Sequence, residues 1–334
     1  MPENAAAGTV RDVRTMYEAY PYPSPTVGDT LIPDVANSLY TIFGEDDLAG
    51  KRILDAGCGT GQRLLAVARR YPKAQFVGLD MTAASLAVAE ALSQKHGIRN
   101  VEFCRSEMLD FSPPSKFDLI LSIGVVHHLE DPSRGIEFLT SLLGEDGILI
   151  LWLYHSLGEH QRLLDRQTLL TLWNRSEGFD AGLQVLRDLG VNLDVKQYGS
   201  SAAQAKPEVS QVSIDVDAYL HPIVNAYRFE EIVDVLKDCK ELDWAAVNNV
   251  NLVDSSKLVD LNEVETGDMR FLCQTTDDLF AGESLKQRFR ALEPLMKLRV
   301  LENQLTPTGF TILGGRGDAH QRLSQRVRSN VIPL

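Results

Sequence analysis

Apolar runs of strand length alternate with segments of helical period through the first half of the chain. Runs at 52–55, 75–79, 101–104, 117–122 and 147–154 read as strands, while 61–71, 82–96 and 133–143 carry the spacing of amphipathic helices. Such alternation predicts parallel strands with helices on both faces, an α/β doubly wound sheet. Its ligand belongs beyond the carboxyl ends of the strands. After the fifth run the order changes: Glu159–Trp173 and Phe179–Leu189 read as helices and lead into a small-residue linker, Gly199–Pro207. The pattern resumes with a helix at Phe229–Cys239, a strand at Trp244–Val250, a helical insertion at 282–304 and a last strand at Gly309–Leu313. The expected division is a helical arm or lid at 1–45, a core at 46–155, a helical cap at 156–226, the rest of the core at 227–315 and a tail at 316–334.

The first strand breaks into Asp55-Ala56-Gly57-Cys58-Gly59-Thr60-Gly61-Gln62, three alternating glycines ahead of a helix. Glycines at this junction permit positive φ and let a ligand approach the main chain. The acid at the strand end repels a pyrophosphate, and no Lys-Ser/Thr follows to cradle one, which excludes a phosphate-binding P-loop. The spacing G-x-G-x-G also departs from the dinucleotide fingerprint G-x-G-x-x-G, weakening a dehydrogenase reading. A second strand ends in Asp80, about 20 residues beyond the glycines, where a ribose diol is bound.

These segments resemble those of the class I S-adenosylmethionine-dependent methyltransferases. The resemblance is strong over 50–155 and implies a mostly parallel seven-stranded Rossmann-like sheet with a reversed last strand, for which Gly309–Leu313 is the candidate. It implies that Asp55, Ala56, Gly57, Cys58, Gly59, Gly61 and Gln62 carry the methionine end of S-adenosylmethionine, and that Asp80 and Met81 hold its ribose. Glu107, in place of the more usual Asp, and Met108 would flank the adenine; Ile123 and Gly124 lie at the active-site exit of the fourth strand. The N-terminal Tyr17-Glu18-Ala19-Tyr20-Pro21-Tyr22-Pro23 is similar to an arm that closes over cofactor and substrate in a subset of these enzymes. Asp217-Ala218-Tyr219-Leu220-His221-Pro222 is similar to a cap segment of the same subset.

Composition fits one globular enzyme of 334 residues with 44% hydrophobic and 24% charged residues. The longest apolar stretch, 147–154, is far short of the ~20 residues that cross a bilayer, and the first residues lack the basic and apolar regions of an export signal. A cytoplasmic location is expected. The four cysteines are scattered, which argues against a disulfide framework or a zinc site, so no metal is expected. A formal charge of −13 disfavours nucleic acid. The basic clusters at 286–299 and 316–328 read first as solvated faces.

Methyl transfer needs alignment of nucleophile, methyl and sulfur, and a base only when the nucleophile starts protonated. His127 and His128 follow the fourth strand, and one of them, with His128 preferred, is the candidate base; the bland alternative is a pair of hydrogen-bonded structural rings. His221 is a weaker candidate on the substrate side. Tyr17, Tyr20, Tyr22 and Tyr219 either bind substrate or pack the arm and cap. The expected activity is methylation of a small or medium organic acceptor, at oxygen before nitrogen, by a monomer or homodimer. A protein or peptide acceptor, a non-catalytic cofactor-binding partner subunit and an NAD-dependent oxidoreductase are the rivals.

Overall fold

The computed structural model describes residues 9–23, 28–43, 48–191, 207–252, 255–262 and 273–334. The linker read at Gly199–Pro207 lies outside them except for its last residue, and so do the first eight residues of the chain. Helices α1 (Val10–Ala19) and α2 (Asp34–Phe43) precede β1 (Arg52–Ala56). There follow α3 (Gln62–Arg70), β2 (Gln75–Asp80), α4 (Ala83–His96), β3 (Val101–Arg105), β4 (Phe117–Ile123), α5 (Pro132–Ser141) and β5 (Leu143–Tyr154). The cap comprises α6 (His160–Leu172), α7 (Phe179–Asp188), α8 (Pro207–Asp215) and a π-helical turn, Val216–Leu220. Next come α9 (Phe229–Asp238), β6 (Trp244–Leu252), β7 (Ser255–Val259), β8 (Cys273–Gln274) and α10 (Thr276–Leu279). The chain closes with α11 (Glu283–Arg290), α12 (Pro294–Leu305), β9 (Gly309–Gly315), α13 (Gln325–Ser329) and β10 (Ile332–Pro333).

The sheet has ten strands among the described residues, in the order β3-β2-β1-β4-β5-β9-β6-β7-β8, with β10 also on β6. The five strands from β3 to β5 are parallel, and β9 runs antiparallel between β5 and β6. Seven strands therefore form the expected body with its reversed member. The expectation of seven in all is corrected by β7, β8 and β10, whose short segments extend the β6 side. The helical stretch read at 282–304 consists of two helices, because Pro294 removes a donor and starts α12 afresh.

Side chains of successive strand residues alternate between two apolar cores. Leu54, Ile120, Leu149 and Ile312 face one side, packed with residues of α5, α9 and α12; Ile53, Leu119, Ile150 and Leu313 face the other, packed with α2, α3 and α13. A third, smaller core joins Met16 of α1 to Leu169, Trp173, Leu186 and Tyr219 of the cap. The arm is thereby built into the cap, over the carboxyl ends of the strands. Among the described residues no helix is long and apolar enough to cross a membrane.

Candidate functional site

The glycine loop forms where β1 must turn sharply into α3. Gly57 and Gly59 have φ of 90° and 54°, a region that side-chain-bearing residues rarely adopt. A Cβ on Gly57 would meet Val125 at 2.5 Å, and one on Gly59 would lie 2.5 Å from the carbonyl oxygen of Tyr22. Thr60 donates its N–H to that same carbonyl at 3.1 Å. Gly59 thus makes room for the protein's own arm as well as for a ligand. The arm rests on the loop.

A cavity of about 720 Å³ opens beside this contact, at the carboxyl ends of the parallel strands. Of the residues singled out in the sequence, Asp55, Gly57, Cys58, Gly59, Asp80, Met81, Glu107, Met108, Ile123, Gly124, His128, Tyr17 and Tyr22 line it. Ala56, Gly61, Gln62, His127, His221, Tyr20 and Tyr219 do not. Alternation turns Ala56 into the opposite core, and Gln62 is fully buried beneath the loop, accepting from the Thr60 hydroxyl at 2.5 Å. Tyr20 packs edge-on against Phe179 of α7 at 5.4 Å, and Tyr219 belongs to the cap core.

Asp80 caps its own turn: Oδ1 accepts from the N–H and hydroxyl of Thr82 at 2.9 and 2.7 Å, and Oδ2 from the Gly59 N–H at 3.0 Å. Burial raises its pKa, against the lowering effect of those three bonds. Asp55 is also buried, and desolvation pushes its carboxyl up to about 7, opposed by Arg63. Burial pushes the Cys58 thiol well up, so it is an inert wall and no nucleophile.

Three histidines cluster here, His221 stacked on His128 and His127 edge-on to it, and of the three His128 lines the cavity. His128 lies 3.7 Å from His221, nearly parallel, and 4.3 Å from His127. Its Nδ1 lies 2.7 Å from the Ile223 carbonyl and must donate to it, which leaves Nε2 as the lone-pair nitrogen. Burial lowers the His128 pKa to about 3, so the ring is neutral across the physiological range. His127 and His221 have the opposite tautomer: each Nδ1 accepts a backbone N–H, from Tyr154 at 3.3 Å and from Ile223 at 3.0 Å, and each Nε2 is enclosed without a partner. Burial lowers both pKa values well below the usual value. The rings face one another's sides, and among the described residues no group of His, Cys, Asp and Glu converges to hold a metal.

The cavity wall also contains residues that the sequence reading did not select. The Tyr17 hydroxyl donates to Asp217 at 2.7 Å, and Asp217 sits on the π-helical turn, a distortion often found at functional sites. Arg162 pairs with Glu159, donates to the Ala218 carbonyl and lies 4.5 Å from the Tyr154 ring. Arg63 donates to Asp34 at 2.9 Å. On the other side of the mouth, Arg14 pairs with Glu107, and Glu18 accepts the free N–H groups of Ala83 and Ala84 at 3.0 and 3.2 Å. The partners of Tyr17, Arg14 and Glu18 lie 65 or more residues away along the chain, so only the folded chain brings them together.

Residues 47–175 match the model of a methyltransferase domain. An uncharacterized protein of Synechococcus sp., syc1184_c, is 26% identical over 87% of this chain and 67% of its own length. A ubiquinone biosynthesis O-methyltransferase of Neisseria meningitidis is 34% identical over 32% of this chain and 46% of its own. The structure of PKMT2 from Rickettsia typhi in complex with AdoHcy superposes with a TM-score of 0.56 at 17% identity, covering 90% of this chain and 55% of that one. The chain thus spans about half of PKMT2. Two strand-ending acids, Asp55 and Asp80, and a glycine floor line the cavity together, a set that fits an adenosyl group without a diphosphate. Over residues 47–175 the chain is thus similar to a methyltransferase domain, and its fold is similar to that of PKMT2.

Proposed function

We propose that the chain moves a methyl group from S-adenosylmethionine to a small or medium organic acceptor, at oxygen in preference to nitrogen. Asp80 and the glycine loop would hold the ribose and the methionine end, with Glu107 and Met108 at the adenine. Bound there, the cofactor supplies a methyl group already activated by its sulfonium. The residues of the chain then align the acceptor and exclude water, the arm and cap together roofing the cavity.

The observation that carries the oxygen preference is His128. Its fixed tautomer offers Nε2 to the cavity as a hydrogen-bond acceptor, which suits a neutral hydroxyl better than a protonated amine. A conjugate-acid pKa of about 3 makes the ring a weak base. His128 is therefore a group that orients a hydroxyl and shares its proton as the new C–O bond forms. Its place on the cavity also separates His128 from His127, which packs edge-on against it, and from His221, which stacks on it.

The test uses S-adenosylmethionine labelled in the methyl group, with matched hydroxyl and amine acceptors. Label should enter hydroxyl acceptors, and His128→Ala should lower that turnover by 10² or more while S-adenosylhomocysteine affinity stays within twofold. Equal loss of both would make His128 structural. Failure of S-adenosylhomocysteine to bind in calorimetry would overturn the reading as a whole.

A further inference from the structure

The cap side of the cavity holds a carboxylate with no cation of its own. Asp217 lines the cavity from the π-helical turn and is 6% exposed. Its Oδ1 accepts the Tyr17 hydroxyl at 2.7 Å, and among the described residues Oδ2 receives no hydrogen bond. The two guanidiniums whose charge acts on it each hold another acid: Arg162 pairs with Glu159, and Arg63 with Asp34. Desolvation accordingly raises the Asp217 carboxyl, against the lowering effects of the Tyr17 bond and of both arginines. Burying a carboxylate that is only partly compensated costs stability, and its place on a cavity wall points to a use.

Three tyrosines on the cavity feel this charge. Burial first, and then Asp217, raises the hydroxyls of Tyr17, Tyr22 and Tyr154. The Tyr154 ring is already occupied, by His127 stacked at 3.9 Å and by the Arg162 guanidinium at 4.5 Å. The Tyr17 ring meets His221 edge-on at 5.6 Å, and His221 stacks on His128 at 3.7 Å. Asp217 and His128 thus belong to one wall, joined through Tyr17 and His221, while the glycine loop and Asp80 lie at the strand ends. Acids also outnumber arginines around the cavity as a whole. A second anion brought to this wall meets repulsion, and a cation meets attraction.

We infer that Asp217 receives an ammonium group of the methyl acceptor, whose hydroxyl lies at His128. The inference rests on the methyltransferase reading and narrows its acceptor to a hydroxyl compound that also carries an amine. Held as an ammonium, that nitrogen has no lone pair to take the methyl group, so the contact that binds the acceptor also directs transfer to oxygen. Calorimetry on the full chain saturated with S-adenosylhomocysteine tests it with three phenols of similar shape. Tyramine carries an ammonium, 4-ethylphenol is uncharged, and 3-(4-hydroxyphenyl)propionate carries a carboxylate. At pH 7 tyramine should bind at least tenfold more tightly than either of the others. Asp217→Asn should abolish that preference, leaving the affinities for 4-ethylphenol and S-adenosylhomocysteine within twofold of the parent. Absence of binding by all three, no preference for tyramine, or an undiminished preference in Asp217→Asn would overturn the assignment. So would an equal loss of S-adenosylhomocysteine affinity in that variant, which would give Asp217 to the amino group of the donor. Circular dichroism checks the fold of the variant, and if it does not fold, the ranking of the three probes by the parent chain decides. Failure of S-adenosylhomocysteine to bind the parent strikes the methyltransferase reading instead, and the same ranking on the unloaded chain still decides the role of Asp217.

Discussion

Asp80 accepts two hydrogen bonds from Thr82 within its own turn and a third from Gly59 of the glycine loop, and still lines the cavity, so its carboxylate is pre-aimed before any ligand arrives. Asp80→Ala removes that acceptor and should weaken S-adenosylhomocysteine binding by about 1–3 kcal/mol, read as a rise in Kd by calorimetry. Asp55 carries a pH signature. Desolvation raises its carboxyl from 3.8 to about 7 in the folded chain, so between those values the native state holds a proton that the unfolded chain has lost. Its contribution to stability is present below pH 4 and fades as the pH rises through 7. Urea midpoints should fall over that window, and Asp55→Asn should flatten the decline. Both carboxylates were legible in the sequence, because a glycine loop and a strand-ending acid leave a local signature. Arg63, Arg162 and Asp217 were not: each is an ordinary helix or turn residue until tertiary contacts place it on the cavity.

At the scale of elements, α1 is an amphipathic helix whose polar side spans the mouth. Thr9 caps it, with Asp12 returning the bond, and burial of Met16 fastens it to the cap core. Met16→Ala should cost about 2–5 kcal/mol if the arm and cap unfold with the rest; a separate early transition in hydrogen exchange over 10–19 would show that the arm opens alone. The proline-tyrosine arm was visible in the sequence as a rigid segment. Its seat on Gly59 was not, because close approach between residues 22 and 59 leaves no periodic trace. The helix α2 likewise gives no chemical signal, and its ties to Arg63 and Ser324 appear only in the folded chain.

Across the whole molecule, the basic C-terminal stretch is the clearest departure from expectation. Its arginines read as a solvated tail, yet Arg326 is 5% exposed and donates to Asp260 at 2.6 Å, and Arg322 donates to the Asp146 carbonyl at 2.7 Å. The segment closes the α2 face of the sheet, and β10 pairs with β6. Removing one partner of a buried ion pair strands the other charge, so Arg326→Ala should destabilise the fold by about 3–5 kcal/mol. The urea midpoint should drop while S-adenosylhomocysteine affinity in the folded chain holds; loss of affinity instead would tie the tail to the site. Local periodicity and loop chemistry determined the alternating parallel strands, the glycine floor and the two acids, since each depends on residues close along the chain, whereas the reversed strand at Gly309–Leu313 was expected only from the family resemblance. Tertiary structure alone decided the additional strands, which histidine reaches the cavity, and the charged wall around Asp217 and Arg162. Those features arise from contacts between residues far apart in the chain, and hydrophobic period reports that a face is buried without reporting what it is buried against.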